Sequence, residues 1–245
     1  MHRFYLPNPQ VARDLLRLDG TEWHHCRTVL RAREGTRASV FDGAGSEYLC
    51  EIQKMDEDGA DLRVIQKSFT PRPTYSITLA QALPKNKVMD LIMQKATELG
   101  VCEIIPVLSE RSVIRIEADE MKNKLTRWRD ITMEAAKQCG LNWLPTLTKP
   151  KTVKEIAETR TEYTWGLIGS LQPEAKPLWE HLKESRAADG KAILMIGPEG
   201  DFTPAEMVVA RAAGFQPLTL GSLVLRCDTA AIHAISILNY ELRRR

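Results

Sequence analysis

The sequence predicts a small all-β domain followed by a larger α/β domain with a mostly parallel sheet. Three observations predict this: short strands with tight turns come first, a proline-rich segment follows, and apolar strands then alternate with amphipathic helices. Such alternation favours a parallel sheet with helices on both faces. Hydrophobic residues make up 43% of the 245 residues, which is enough for a sizeable core.

Composition excludes several classes of protein. The net charge of +2 is weak evidence about a polyanionic partner. The five cysteines are scattered and form no C-x-x-C pair, so neither a disulfide framework nor a zinc site is expected. No stretch approaches the roughly 20 apolar residues that span a bilayer, and the N-terminus lacks the apolar core of a signal peptide. We therefore expect a soluble cytoplasmic protein without a metal.

The first part of the chain is expected to form a small β-barrel with one helix. Thr21 is a candidate N-cap for a helix from Glu22 to about Ala32. Strands are predicted at 38–41 and 48–52, on either side of a glycine-containing turn, and again at 62–65.

The domain boundary is predicted at a linker, residues 69–74. Pro71 and Pro73 disfavour both a helix and a strand ladder there. The predicted domains are therefore 1–70 and 74–245. Beyond the linker the sequence predicts strands at 76–83, 102–108, 163–168, 192–196 and 217–220, and helices from 88 to Gly100, from 121 to Gly140 and from about 229 to 243.

The first motif with chemical meaning follows the strand at 192–196. Gly197-Pro198-Glu199-Gly200 precedes a T-x-x-E capping box, Thr203 to Glu206, with Pro204 at the first helical position. In open α/β sheets ligands bind at this edge, where the parallel strands end. A simple tight turn between strand and helix is the structural alternative.

A second loop, residues 220–226, follows the last predicted strand. Asp228 or Thr229 is expected to cap the helix that follows, and Arg226 lies just before its N-terminus. A fixed cation and the helix dipole together favour an anion at such a place. We expect the two loops to end neighbouring strands and to line one pocket. The sequence lacks both G-x-G-x-x-G and G-x-x-x-x-G-K-[ST], so neither an ordinary dinucleotide fold nor a phosphate-loop NTPase is supported.

These two loops resemble the paired signatures of the SPOUT-class methyltransferases. The chain is most similar in pattern to the bacterial 16S ribosomal RNA uracil-N3 methyltransferase family. Further matches in the family's order are H-x-x-x-V-L-R at 25–31, Q-K-x-x-E-L-G-V at 94–101, E-R-S at 110–112 and E-A-A-x-Q-C-G at 134–140. The sequence departs from the family's usual residues at Leu141, Asp201, Leu223 and Asp228.

The resemblance implies a fold, a cofactor and partners. It implies a PUA-like β-barrel domain followed by a SPOUT-type α/β domain with a C-terminal trefoil knot, assembled as a homodimer. It implies S-adenosylmethionine as the cofactor and one uridine of 16S ribosomal RNA in the small ribosomal subunit as the target. The cofactor-binding residues that it implies are Gly197, Pro198, Glu199, Gly200, Leu220, Gly221, Val224 and Leu225.

Two residues are candidates for catalysis. Arg226 is expected to stabilise negative charge on the base or its phosphate. Glu199 is either a general base or a cap for loop backbone amides, and the sequence does not decide between these. The candidates for binding RNA are His25, Arg31, Lys85 and Arg111, with Lys87 beside them.

Two other functions stay open at this point. One is methylation of a ribose hydroxyl by a knotted enzyme of the same class. The other is a ribosome-assembly factor that binds RNA without catalysis.

Overall fold

The computed structural model describes residues 1–85, 88–112, 117–183 and 190–243. It divides into two compact units. Unit 1 comprises Met1–Arg72 together with Ala136–Leu144, and unit 2 comprises Pro73–Ala135 and Pro145–Arg245. The sequence-based limits, 1–70 and 74–245, do not include the return of Ala136–Leu144 to unit 1.

Unit 1 is built on a five-stranded sheet. Its strands are β1 (His2–Tyr5), β2 (Leu15–Asp19), β3 (Arg37–Phe41), β4 (Ser46–Met55) and β5 (Gly59–Phe69). The strand order is β1-β3-β4-β5-β2, in which only the β1–β3 pair is parallel. Phe4, Leu16 and Leu62 are buried in its core. Phe69, predicted as the start of the linker, instead ends β5 opposite Ser46.

The helical segment of unit 1 corrects the sequence prediction. Helix α1 (Gly20–His24) is followed by a π-helical turn over His25–Val29, so the helix ends before Ala32. Thr21 is not the N-cap: Asp19 holds that position in an extended conformation, without a side-chain capping bond. Buried Trp23 and Cys26 anchor the segment to the core. The tertiary packing of these two side chains decides the local geometry.

The return segment is held in unit 1 by the side chain of Arg3. Its Nη1 donates to the carbonyl oxygens of Ala136 at 2.7 Å and Leu141 at 3.1 Å. Its Nη2 donates to the side chain of Asn142, and the guanidinium lies 4.1 Å from the ring centroid of Phe41. These contacts involve residues far apart in sequence, which explains why no local pattern indicated them.

Unit 2 contains a parallel sheet, as the alternation of strands and helices predicted. The strands are β6 (Ser76–Ala82), β7 (Glu103–Leu108), β8 (Thr146–Leu147), β9 (Lys151–Thr152), β10 (Trp165–Gly169), β11 (Lys191–Ile196) and β12 (Gln216–Leu218). Their order is β12-β10-β11-β6-β7-β8, and β9 also pairs with β7. All of these pairs are parallel.

Helices cover both faces of this sheet. They are α2 (Val88–Glu98), α3 (Ala118–Cys139), α4 (Val153–Glu158), α5 (Leu178–Leu182), α6 (Pro204–Ala212) and α7 (Cys227–Arg243). On β11, Leu194 joins the core cluster that contains Ile235 of α7. Its neighbours Ile193 and Met195 join the opposite cluster, which contains Ala210 of α6. Adjacent residues of one buried strand thus serve two cores.

Unit 2 confirms one local prediction and corrects others. The capping box of Thr203 and Glu206 is confirmed, with Pro204 in the first turn. Helix α7 begins at Cys227, so Asp228 and Thr229 lie in its first turn and the expectation that one of them caps it is wrong. Strand β12 ends at Leu218, two residues earlier than predicted. The short elements β8, β9, α4 and α5 were not predicted, because too few residues repeat in them to show a period.

Among the described residues, no helix is long and apolar enough to cross a membrane.

Candidate functional site

A cavity of about 310 Å³ lies at the carboxyl ends of three parallel strands. Its walls come from the loops after β10, β11 and β12, together with the start of α7. This edge is where open α/β sheets bind ligands. The volume is in the range of small-molecule sites.

Strand order corrects one expectation about this cavity. The two glycine loops were predicted to end neighbouring strands, but β10 lies between β11 and β12. The last residue of β10, Gly169, and the two that follow it, Ser170 and Leu171, therefore form a third wall that sequence reasoning missed. The available signal was a glycine and a serine directly after an apolar strand.

The predicted cofactor-binding residues converge here with one exception. Seven of the eight line the cavity, namely Gly197, Pro198, Glu199, Leu220, Gly221, Val224 and Leu225. Gly200 does not line it; its carbonyl oxygen instead accepts a hydrogen bond from Nη1 of Arg111 at 2.7 Å. Their role in binding a cofactor stays a prediction.

Backbone geometry constrains two glycines of the cavity wall. Gly221 has a φ of +118°, a conformation that L side chains rarely adopt. A Cβ at Gly197 would lie 3.1 Å from Oδ1 of Asp201, closer than a comfortable contact. The two loops thus expose main chain to the cavity, while Leu218, Leu220 and Leu225 supply apolar walls. This combination fits an adenosyl ligand, whose flat base needs apolar walls and whose polar edges need backbone donors and acceptors.

The carboxylate of Glu199 binds a backbone amide. Its Oε1 accepts a hydrogen bond from the main-chain N–H of Lys85 at 3.0 Å. The bond joins the loop after β11 to the loop after β6. The sequence left open whether Glu199 is a general base or binds backbone amides. The structure shows amide binding, but the amide belongs to the loop after β6 and not to Glu199's own loop.

Arg226 lies at the mouth of the cavity, directly before α7. Its side chain is 77% exposed, and its Nε lies 3.6 Å from Oδ1 of Asp228. An exposed guanidinium at the N-terminus of a 17-residue helix favours a negatively charged group nearby. Cys227, next in sequence, is buried, and burial is the main cause that raises the pKa of its thiol, with Glu199 and Asp228 adding to it.

The predicted RNA-binding residues lie in different units. Lys85 and Arg111 are exposed in unit 2, where both contact the loop after β11. His25 and Arg31 are exposed in unit 1. Arg31 was expected on the helix, but it follows the π-helical turn with a φ of +48°. Lys87 lies outside the described residues.

Within the described ranges, no group of three or more His, Cys, Asp or Glu side chains could hold a metal ion. The site consists of main-chain groups, apolar walls and a few charged side chains.

Comparisons with known proteins agree with this geometry. Residues 70–239 match an RNA methyltransferase domain family, and residues 18–65 match an RNA methyltransferase PUA domain family. The ribosomal RNA small subunit methyltransferase E of Synechocystis is 32% identical over 97% of this chain and 77% of its own length. That of Bacillus subtilis is 28% identical over 91% of this chain and 89% of its own length.

A solved structure is similar over its whole length. The ribosomal RNA small subunit methyltransferase E from Neisseria gonorrhoeae, bound to S-adenosyl methionine, superimposes with a TM-score of 0.86. It is 31% identical to this chain, and the match covers 98% of each chain.

Fold and site together define an RNA methyltransferase with a PUA-type domain and a SPOUT-type α/β domain. More narrowly, the chain belongs to the family of the ribosomal RNA small subunit methyltransferases E.

Proposed function

We propose that this chain transfers a methyl group from S-adenosylmethionine to N3 of one uracil in the 16S ribosomal RNA of the small ribosomal subunit. The observation that carries the proposal is the cavity at the ends of β10, β11 and β12, lined by seven of the residues that the family resemblance assigned to the cofactor. The relative from Neisseria gonorrhoeae, of the same fold, binds S-adenosyl methionine. Since ribosomes are assembled in the cytoplasm, the chain acts there.

The cavity has the chemistry that this cofactor requires. Backbone groups of the loops at Gly197 and Gly221 would bind the ligand's polar edges, and Leu220 and Leu225 would pack against its apolar surface. When bound, S-adenosylmethionine supplies an electrophilic methyl group.

The target nitrogen carries a proton, which passes to water as the methyl group is transferred. Uracil N3 is a weak acid, comparable to a tyrosine hydroxyl with a pKa of about 10. Arg226, exposed at the cavity mouth, stabilises the negative charge that develops on the base. Glu199 holds the loop after β11 to the loop after β6 through the Lys85 amide. A direct role of Glu199 as general base is the other outcome of the test described in the Discussion.

Both units contribute to binding RNA. The PUA-like domain comprises residues 1–70 with the returning segment Ala136–Leu144, and the methyltransferase domain comprises the remainder of 74–245. His25 and Arg31 contact the RNA from the first, and Lys85 and Arg111 from the second. Phosphate contacts of this kind fix position and orientation but carry little sequence information.

The active form is a twofold-symmetric homodimer, and the loop before α7 belongs to a trefoil knot. Support for a dimer comes from apolar side chains that remain exposed around the cavity mouth: Leu171 at 62%, Leu223 at 75% and Val224 at 78%. Burial of these residues by a second copy would remove them from water. The apolar residues of α7 give less support, because Ile235, Leu238 and Leu242 are already buried in unit 2.

A deletion strain tests the function in the cell. Nucleosides from its 16S ribosomal RNA are analysed by mass spectrometry, with and without a plasmid that carries the gene. We expect 3-methyluridine to disappear in the deletion strain and to return with the plasmid. Loss of a 2′-O-methylated nucleoside instead, or of no modified nucleoside, would refute the proposal.

A further inference from the structure

Glu206 makes one hydrogen bond that helix capping does not require. Its side chain is buried, at 7% exposure. Oε2 accepts the main-chain N–H of Thr203 at 2.8 Å, which is the usual capping-box bond. Oε1 accepts the main-chain N–H of Glu110 at 2.9 Å, 96 positions away along the chain. The second bond ties the start of α6 to the loop after β7.

The chain contains a second capping box that lacks this feature. At the start of α4, Oε2 of Glu155 accepts both the N–H and the hydroxyl of Thr152, at 2.7 and 2.8 Å. Glu155 is exposed, and the hydrogen bonds that the structure shows for its carboxylate go to Thr152. The same motif therefore serves only as a cap at α4, whereas at α6 it also holds a distant loop.

The loop that Glu206 holds is a tight turn that carries Arg111. Within it, the N–H of Ser112 donates to the carbonyl of Ser109 at 3.0 Å, and the two hydroxyls lie 3.0 Å apart. Nη1 of Arg111 reaches the carbonyl oxygen of Gly200 at 2.7 Å. Its Cδ would lie 3.6 Å from a Cβ at Gly200, so the side chain lies beside that exposed residue.

Two bonds thus fix one loop of the cavity from outside. Glu206 holds the amide of Glu110, and the next residue, Arg111, holds the carbonyl of Gly200. Gly200 ends the Gly197–Gly200 loop, whose first three residues line the cavity. These two bonds connect the loop to a buried carboxylate that does not itself line the cavity.

We infer that Glu206 is a positioning residue for the methyltransferase site, acting through Arg111 on the Gly197–Gly200 loop. The effect of Glu206 on methylation rests on the proposed function, but its effect on the order of the loop does not. Because Gly197 presents main chain to the cavity, small displacements of this loop change the ligand contacts directly.

The variant Glu206→Gln separates positioning from capping. Glutamine is accepted at this place of a capping box, so α6 keeps its cap. An amide has only one oxygen, and its nitrogen would then face the N–H of Glu110, so the long-range bond is lost. The matched control is Glu155→Gln, which changes the same residue in the other capping box. Arg111→Ala removes the next link, and the double variant Glu206→Gln/Arg111→Ala tests whether the links act in series.

Two measurements apply to each variant: hydrogen exchange of the amides of Glu110 and of Gly200 to Phe202, and calorimetry with S-adenosylmethionine. We expect faster exchange at Glu110 and in the loop, and roughly tenfold weaker binding, for Glu206→Gln, as for one lost hydrogen bond to a charged group. Arg111→Ala should loosen the loop similarly. The double variant should show the same loop exchange and the same affinity for S-adenosylmethionine as Arg111→Ala. Glu155→Gln should show the loop exchange of the wild type.

Equal loop exchange in Glu206→Gln and Glu155→Gln would overturn the inference, as would additive effects of Glu206→Gln and Arg111→Ala. If Glu206→Gln does not fold, unchanged loop exchange in Arg111→Ala overturns it equally. Exchange needs no RNA, so it decides the inference even if the wild-type chain fails to methylate uracil. If the wild type methylates uracil but loop exchange is unchanged in Glu206→Gln, the proposed function holds and the inference about Glu206 is wrong.

Discussion

The carboxylate of Glu199 accepts a hydrogen bond from the main-chain amide of Lys85, with 3.0 Å between Oε1 and N. The bond connects the ends of β6 and β11, two neighbouring strands of the sheet. It occupies one oxygen of a side chain that is also a candidate general base. A structural role and a general-base role of Glu199 predict different turnover for a variant that loses the charge but keeps an acceptor oxygen.

We expect Glu199→Gln to retain turnover within a few-fold of the wild type, because its amide oxygen can still accept the Lys85 N–H. Glu199→Ala loses the acceptor and should weaken cofactor binding and turnover together. Steady-state kinetics with saturating RNA measures both. A rate loss of about 100-fold or more in the glutamine variant would instead assign general-base catalysis to Glu199.

Gly221 should be intolerant of a side chain because of its place in the cavity wall. No atom of the described residues, the chain neighbours of Gly221 aside, lies within 4 Å of a Cβ there, so Gly221→Val has room in the protein alone. Its φ of +118° adds about 1–3 kcal/mol of strain. We expect S-adenosylmethionine to bind at least ~10-fold more weakly by calorimetry.

Gly214→Val is the matched control, since Gly214 has a φ of +95° and equally open space but does not line the cavity. It should be similarly strained yet bind the cofactor normally. Normal affinity in a folded Gly221→Val variant would mean that the cofactor does not approach this loop.

The two arginines assigned to chemistry and to RNA binding should differ in their response to RNA concentration. Arg226→Ala should lower turnover by about 100-fold or more with little effect on cofactor affinity. Arg31→Ala should weaken RNA binding and reduce the salt dependence of that binding by about one unit of slope. Saturating RNA should therefore restore the rate of Arg31→Ala but not that of Arg226→Ala. The reverse pattern of rescue would exchange the two assignments.

Arg3 should matter for the stability of unit 1. Its side chain is only 10% exposed and binds the carbonyl oxygens of Ala136 and Leu141. Arg3→Ala should lower the free energy of unfolding by about 3 kcal/mol, because buried acceptors lose a charged donor. Arg63→Ala is the control: this side chain is 51% exposed in its pair with Glu51 and should cost less than about 1 kcal/mol. The free energies of unfolding of the two variants are compared in urea, with hydrogen exchange of the β3 amides as the probe of unit 1. Equal effects would show that Arg3 does not hold the return segment.

Local signals predicted part of this structure well. The capping box of Thr203 and Glu206 marked the start of α6, because its bonds join residues three apart. The parallel sheet followed from alternating apolar strands and amphipathic helices. The two glycine loops were placed at the ends of β11 and β12, where the cavity lies.

The rest depends on contacts between distant residues, which a local pattern does not contain. Insertion of β10 between β11 and β12 is a matter of strand order, so the wall at Gly169 was missed. The return of Ala136–Leu144 to unit 1 involves Arg3, and the bond between Glu206 and Glu110 spans 96 positions of the chain. Likewise the π-helical turn at His25 reflects burial of Trp23 and Cys26, where propensity alone suggested a regular helix.

The most direct test of the account is the identity of the nucleoside that the purified chain produces. Small ribosomal subunits from a strain that lacks the gene are incubated with the protein and S-adenosylmethionine carrying an isotopically labelled methyl group, and the RNA is digested for mass spectrometry. The account predicts label in 3-methyluridine at a single position of the 16S RNA, and its loss in Arg226→Ala. Label on a ribose hydroxyl, or no label with a protein that binds the cofactor, would contradict it.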